Sequence, residues 1–497
     1  MFIFSRNIWA FNAVALAFLI AGFGNVGAGL ILDYVKEWPV FMHIDELFIL
    51  VPSLLGLKGN LEMTMASRLS TQANLGHMDN SHKLLEMAIG NLALIQCQAT
   101  VVSFSVAIFA SVIKSMTLQG GPVSVSVDPL DQSSSSSPSS SSSSDSLLDS
   151  SNHLAFAITN RSMINAIGMD NGNSMNGNNG DPTVERQFNG FDWDNALILC
   201  ASSLLTANIA CFVLGTMMIL VILGSHKIRI DPDNIASPVA ASLGDMTTAA
   251  LLAVIAHSIY SYSENQRMPY LALIITLLFI GMLPVWISVA RTNPYTSDVI
   301  TKGWTPIVIA VFISSCGGFI LEHGKTRFSR LPVFQPVING VGGNLVAVQA
   351  SRLSTSLHRI GKPGELPIDF KLYTGPVEIF LSRRNDVNRT TARLLLLMSI
   401  PAHLLYFFVI RSIEGENAVP VTVIFLSLYM ALAVLQVAVL LYLAPNLVNL
   451  LWRCSIDPDN YSTPILTAAG DLLGCAFLLI VFMAAFQFND PYALTTV

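Results

Sequence analysis

Along the chain, apolar runs of 20 residues or more alternate with short polar breaks. The runs lie near residues 8–32, 44–70, 84–116, 194–223, 236–261, 269–291, 303–322, 334–357, 391–413, 419–444 and 463–487. About 20 apolar residues in helical form cross the roughly 30 Å hydrocarbon layer of a bilayer. Only helices and closed barrels satisfy their own backbone hydrogen bonds there. The pattern predicts an all-α polytopic membrane protein of about eleven transmembrane helices. The first run follows Arg6 and could be read as a signal peptide. Its length, and its end in "GAGLILD" (Gly27 to Asp33), predict a retained helix instead.

Polar positions inside the apolar runs repeat. "PSLLGLKGNLEMTMASRLST" (Pro52 to Thr71) aligns without a gap with "PVINGVGGNLVAVQASRLST" (Pro336 to Thr355). A second phrase, "IDPDNIASPVAASLGD" (Ile230 to Asp245), returns as "IDPDNYSTPILTAAGD" (Ile456 to Asp471). "GAGLILD" likewise resembles "CGGFILE" (Cys316 to Glu322). Ordered motif pairs of this kind predict two five-helix halves. Residues 1–262 form the first, 263–300 hold a linking helix, and 301–497 form the second. Five helices plus one is an even number, so both halves start on the same side of the membrane. They are parallel repeats about an axis along the membrane normal, a pseudo-dimer within one chain.

Residues 117–192 break the pattern. They contain "SSSSSPSSSSSSDS" (Ser133 to Ser146) and "NGNSMNGNNGDP" (Asn171 to Pro182). Such composition does not bury enough apolar surface to offset ordering entropy, so a disordered loop is expected. Lys and Arg concentrate in the alternate short loops, including Arg359 to Arg389. By the positive-inside rule this places the N-terminus in the cytoplasm and the C-terminus outside. The 117–192 loop is then extracellular, and its Asn160-Arg161-Ser162 sequon is a glycosylation candidate, with an unmodified spacer as the alternative.

Composition agrees with the spans: 52% of residues are hydrophobic, 12% are charged, and the mean hydropathy is +0.58. A soluble domain carries about 25% charged residues. The net charge of −6 comes with no basic patch interleaved with aromatics, so nucleic acid is not an expected partner. The six cysteines form no C-x-x-C pair and read as structural thiols. No catalytic Ser–His–Asp pattern, phosphate loop or H-E-x-x-H motif is present, so neither an enzyme nor a resident cofactor is expected. His257 and His403 lie in apolar helices without metal-ligand spacing.

The candidate chemistry is carboxylate. Asp245 follows Ala236 by about nine residues, roughly 14 Å at helical rise, which puts it near the membrane midplane. Asp471 is its counterpart. A charged side chain at that depth costs roughly 2.5–3.5 kcal/mol on the mildest scale and marks an ion path. Two carboxylates converging about the pseudo-axis suit Mg²⁺, a hard cation that keeps much of its water. The alternative is that each caps a helix or bonds a hydroxyl such as that of Thr247. Asn60 and Asn344 recur at equivalent places and are candidates to line the path. Glu62 has Val346 as its counterpart, and so marks where the halves differ. It reads either as a path-facing carboxylate or as the partner of Lys58 in an i,i+4 ion pair. Gly56 and Gly59 are expected to loosen the second helix or to admit a close neighbour.

With these residues in view, "PSLLGLKGNLEMTMASRLST" and its copy resemble the signature of the solute carrier 41 family of magnesium transporters. Both halves, with their "DPDN…P…GD" helices, are similar to the membrane domain of bacterial MgtE magnesium channels. The resemblance covers nearly the whole chain except 117–192. It implies two MgtE-like units around a central cation path, with Asp245 and Asp471 matching the pore aspartate that holds hydrated Mg²⁺. It also implies Mg²⁺ export coupled to Na⁺ at the plasma membrane. No feature of the sequence itself marks a sodium site. The chain departs from the family in three ways. Few residues precede its first helix, whether by nature or by a shortened start, so a cytoplasmic Mg²⁺-sensing region finds no support here. The Ser-rich loop is atypical. Glu62 is unmatched in the second half. The expected function is Na⁺-coupled Mg²⁺ transport, with a passive divalent cation channel as the alternative and a membrane scaffold or receptor as the third reading. The expected partners are Mg²⁺, Na⁺ and the lipid bilayer.

Overall fold

The computed structural model describes residues 22–74, 81–119, 192–227, 233–264, 270–368, 370–381, 387–414 and 421–493. Every regular element among them is helical. In chain order they are α1 (22–35), α2 (Pro39–His43), α3 (Leu47–Asn74), α4 (Ser81–Gln119), α5 (Trp193–Lys227), α6 (Asp233–Glu264) and α7 (Leu271–Thr292). There follow α8 (Ser297–Lys302), α9 (Trp304–Lys325), α10 (Leu331–Ile360), α11 (Pro376–Phe380), α12 (Val387–Glu414), α13 (Val423–Arg453) and α14 (Pro458–Gln487). Residues Met1–Val112 and Asp192–Val497 make one compact unit. Ile113–Phe191 make a second, of which only the helical residues 113–119 are described.

Eight of the described helices are long and apolar enough to cross a membrane. They answer to the runs predicted at 84–116, 194–223, 269–291, 303–322, 334–357, 391–413, 419–444 and 463–487. The runs near 44–70 and 236–261 are the helices α3 and α6, and that near 8–32 is described from residue 22 onward. Two boundaries differ from expectation. The run near 44 begins about one turn later, at Leu47, because α2 ends at His43 and its C-cap Ile44 leaves the helical conformation (φ −115°, ψ 78°). The run ending near 444 continues to Arg453: Pro445 lies inside α13 without ending it. Of the loop expected at 117–192, residues 117–119 continue α4, and the rest up to 191, with the Asn160 sequon, lies outside the described residues.

Exposed and buried side chains separate cleanly on α7. Ile274, Leu277 and Leu278 are exposed, whereas Ala272, Thr276 and Ala290 are buried. Apolar side chains facing outward are what a hydrocarbon solvent asks for. Inside the first repeat, α4 and α5 are joined by polar bonds. Gln96 Nε2 donates to the Asn208 carbonyl at 3.1 Å, Thr100 Oγ1 donates to Asn208 Oδ1 at 2.9 Å, and Ser203 Oγ donates to the Ser103 carbonyl at 3.0 Å.

The halves interlock through their first two helices. A Cβ on Gly29 of α1 would overlap the carbonyl oxygen of Val333 in α10. A Cβ on Gly318 of α9 would overlap the carbonyl oxygen of Ile49 in α3. Gly29 and Gly318 are equivalent in the "GAGLILD" and "CGGFILE" phrases, and Ile49 and Val333 are equivalent in the second-helix phrases. The first helix of each half therefore lies backbone to backbone on the second helix of the other. The ends repeat the exchange. Lys36 Nζ donates to the Ser329 carbonyl at 2.9 Å. Its counterpart Lys325 pairs with Asp45 at 2.7 Å and lies 3.9 Å from the Phe48 ring centre. Ser53 and Ser315 hydroxyls meet at 2.9 Å across the same seam. Helix α14 packs on α9, α10 and α13, so the aspartate-bearing helix sits where this seam passes.

Candidate cation site at the seam between the repeats

Asp471 lies on α14 at the level where α3, α9 and α14 converge. Ser314 Oγ of α9 donates to its Oδ2 at 2.7 Å. Gly56 of α3 makes this possible, since a Cβ there would stand 2.7 Å from Asp471 Oδ2 and 3.3 Å from Ser314 Oγ. A Cβ on Gly317 would likewise press on the Asp471 carbonyl at 3.1 Å. Glycines thus let three backbones close around one carboxylate. The Asn339 amide of α10 also bonds to Asp471.

Asp245 of α6 is half-buried and near enough for its charge to act on Asp471. Two ionised carboxylates in a water-poor interior repel strongly, and a cation between or beside them removes that repulsion. The two aspartates that the repeated phrase singled out thus lie within electrostatic range of each other.

The other candidates fall in different places. Asn344 is half-buried on α10, one residue from Gly343, whose backbone lies against Gly470 and Thr467 of α14. Glu62 is fully enclosed within the bundle on α3 and interacts with another group there. The side chains of Asn60 and Lys58 lie outside the described residues, so the ion-pair reading of Lys58 and Glu62 has no geometry. Of the two glycines in the first phrase, Gly56 admits the close neighbour, while Gly59 faces open space.

Sequence reasoning missed Ser314 and its equivalent, Asn25. Asn25 stands on α1 two residues before "GAGLILD", as Ser314 stands two before "CGGFILE". Its amide presses on Gly340 of α10, the counterpart of Gly56, and its polar atoms are buried without a hydrogen-bond partner. The first-helix phrases carried this signal: a polar residue at one equivalent position in two apolar segments.

The two histidines within apolar helices pack against aromatic side chains. His403 Nδ1 meets the Tyr429 hydroxyl at 3.2 Å, and His257 packs edge-on against Trp38. Cys97, Cys200, Cys211 and Cys475 are buried free thiols, Cys316 is half-buried, and only Cys454 is exposed. Among the described residues no group of three or more His, Cys, Asp or Glu is placed to hold a metal ion.

Comparison with known proteins agrees with this architecture. The MgtE family, described as a divalent cation transporter, matches residues 51–129, 175–255 and 335–481. Mouse solute carrier family 41 member 3 is 38% identical over 472 residues, covering 94% of this chain and 81% of its own. Human solute carrier family 41 member 2 is 39% identical over 479 residues, covering 96% of this chain and 70% of its own. The frog (Xenopus laevis) member 2 is also 39% identical, over 96% of this chain and 72% of its own. No solved structure matches the chain. With two MgtE-like repeats, eight described helices fit to span a membrane, and relatives of this similarity along nearly its whole length, the chain belongs to solute carrier family 41 and is a multi-pass divalent cation transporter.

Proposed function

We propose that the protein moves Mg²⁺ across the membrane in exchange for Na⁺, along a path that passes Asp245 and Asp471. The observation that carries this reading is the pair of equivalent carboxylates held within reach of each other's charge at the seam between the repeats. Such a pair matches a doubly charged cation in charge. Oxygen ligands suit Mg²⁺, which is bound through few protein groups and retained waters. Ser314 orients Asp471, and the Gly56 backbone keeps the approach open on one side. Asn344 and Glu62, with Asn60, are proposed to shape the path. The aspartates act on the cation by attraction and by hydrogen bonds to its water. The protein is proposed to reside in the plasma membrane with its N-terminus in the cytoplasm and its C-terminus outside, a placement supported by the distribution of Lys and Arg.

The test is Mg²⁺ efflux from loaded proteoliposomes, with and without external Na⁺, for the wild type and for Asp245→Ala combined with Asp471→Ala. The wild type is expected to release Mg²⁺ faster with Na⁺ outside, and the double variant to lose flux by about 10²-fold, the upper end for groups that act on a metal through its outer shell. Undiminished flux in the double variant sinks the aspartate assignment. Flux indifferent to Na⁺ favours the channel, and no flux at all favours a scaffold.

A further inference from the structure

The two repeats differ behind their aspartates. In the second repeat, α10 contributes Asn339 and α13 contributes Gln436, both enclosed (5% and 0% exposed). Their amide nitrogens have partners: Gln436 Nε2 donates to the Gly470 carbonyl at 2.9 Å, and Asn339 Nδ2 donates to Cys475 Sγ at 3.7 Å. Their carbonyl oxygens, Asn339 Oδ1 and Gln436 Oε1, are buried with no hydrogen-bond partner. Gly474 makes the space they occupy. A Cβ there would overlap Asn339 Oδ1 and stand 3.0 Å from Gln436 Nε2. Gly342 opens the other side, where a Cβ would meet Gln436 Nε2 at 2.8 Å. Asp471 lies one turn before Gly474 on the same helix and is bonded to Asn339.

The first repeat packs the same positions without amides. In the phrase alignment Leu55 stands for Asn339, and carrying the offset of the second phrase pair along its neighbouring helices without a gap sets Ala210 against Gln436, Thr248 against Gly474 and Ala249 against Cys475. The fold therefore does not need the two amides. Leaving a buried carbonyl oxygen unpaired costs roughly 1–3 kcal/mol, and here the two belong to side chains that flank Gly474, one turn after the carboxylate of Asp471. A ligand that accepts electron pairs from oxygen offsets that cost. These three groups offer one carboxylate and two neutral oxygens, a donor set that suits a single positive charge, with Asp245 of α6 outside the set. A dehydrated divalent ion would remain under-neutralised, and Mg²⁺ gives up its water reluctantly. We propose that Asp471, Asn339 and Gln436 form a binding site for a small monovalent cation of the Na⁺ class, present in the second repeat only. This deepens the reading of Na⁺ exchange and rests on it in so far as Asp471 is shared by the two ions. Na⁺ bound there would tie up the carboxylate that otherwise serves Mg²⁺, so the two ions compete through one group.

The experiment is equilibrium binding of ²²Na⁺ to the purified full-length chain in detergent. The wild type is expected to bind ²²Na⁺ saturably. Gln436→Met, which keeps the volume and removes the oxygen, is expected to weaken binding about tenfold or more, and Asn339→Leu the same. A four-residue exchange, N339L with Q436A, G474T and C475A, installs the first repeat's own lining and is expected to abolish binding. Because that lining already packs in the other half, the exchange keeps the test valid should the single variants fail to fold, with monodispersity and thermal transition checked for each. Absence of saturable ²²Na⁺ binding in the wild type overturns the proposal and leaves a water-filled or empty pocket. Unchanged binding in a folded exchange variant overturns it too. Wild-type ²²Na⁺ binding without Mg²⁺ flux would sink the transport reading and leave the site standing, whereas Na⁺-stimulated flux with binding that ignores the exchange would do the reverse.

Discussion

Single residues at the seam decide how close the halves come. Gly29 and Gly318 each take a carbonyl oxygen of the other repeat into the place a Cβ would fill. Gly318→Ala or Gly29→Ala forces the backbones apart and is expected to cost about 1–3 kcal/mol, as for other overpacked sites. The two variants should fall by similar amounts, because the positions are equivalent. Gly59 is the internal control. It has nothing within 4 Å, so Gly59→Ala removes only backbone freedom and is expected to be neutral or to stabilise by up to about 1 kcal/mol. Thermal unfolding in detergent, read by light scattering or a thiol-reactive dye, separates the three. Equal losses for Gly59→Ala and Gly318→Ala would contradict the close-approach account. Both glycines of "GLKG" looked alike in the sequence, since spacing does not reveal which side of a helix meets a neighbour.

At the scale of elements, the stretch between α10 and α12 is held to α13 by its own polar groups. Trp452 Nε1 donates to the Glu365 carbonyl at 3.0 Å, the Thr374 amide donates to Asn446 Oδ1 at 2.8 Å, and Asn449 Nδ2 donates to the Lys371 carbonyl at 2.8 Å. Glu378 of α11 joins this stretch to α12 by accepting from Lys371 and Arg389, both at 2.9 Å. The hydrogen bond from Lys371, with that from Arg389 and the two positive charges, holds the Glu378 carboxyl below the usual carboxylate range against the opposing effect of burial. A carboxyl with a lowered folded-state pKa stabilises above its unfolded value, and that contribution is lost as pH falls through the folded value. Protease resistance of residues 361–381 is therefore expected to be constant near neutrality and to fall on acidification below the ordinary Glu range. Glu378→Gln should show the lower resistance at neutral pH and no further change with acid. A wild-type profile identical to that of the variant would remove the ion pairs from the account. The basic richness of Arg359 to Arg389 suggested only a side of the membrane, because charge composition carries no information about which carbonyls a loop will cover.

For the whole molecule, the exchange of first and second helices makes each repeat a poor unit by itself. Without the other half, α1 would lose its backbone contact with α10, and α3 its contact with α9, leaving glycine-lined grooves and the Lys325–Asp45 pair open. Fragments ending at 264 and beginning at 270 are expected to co-purify when expressed together, and each to be degraded or aggregated alone. Pull-down through a tag on one fragment reads the result. A first fragment that is monodisperse without the second would show that the seam is not needed for its stability. Much of this molecule was legible in its sequence. Apolar runs dictated helices because hydrocarbon permits little else. Two copies of one phrase dictated paired repeats, and a lone carboxylate in each fifth helix made Asp245 and Asp471 the candidates for a cation path. The tertiary structure decided what depends on partners distant in the chain. It determined that the first helices are exchanged between halves, that the Ser314 hydroxyl from another helix bonds Asp471, that Gly56 and not Gly59 faces it, and that Asn339 and Gln436 gather behind Asp471. Periodicity reports whether a residue prefers lipid, protein or water. Which neighbour it meets is set by packing between elements hundreds of residues apart, and no local pattern encodes that.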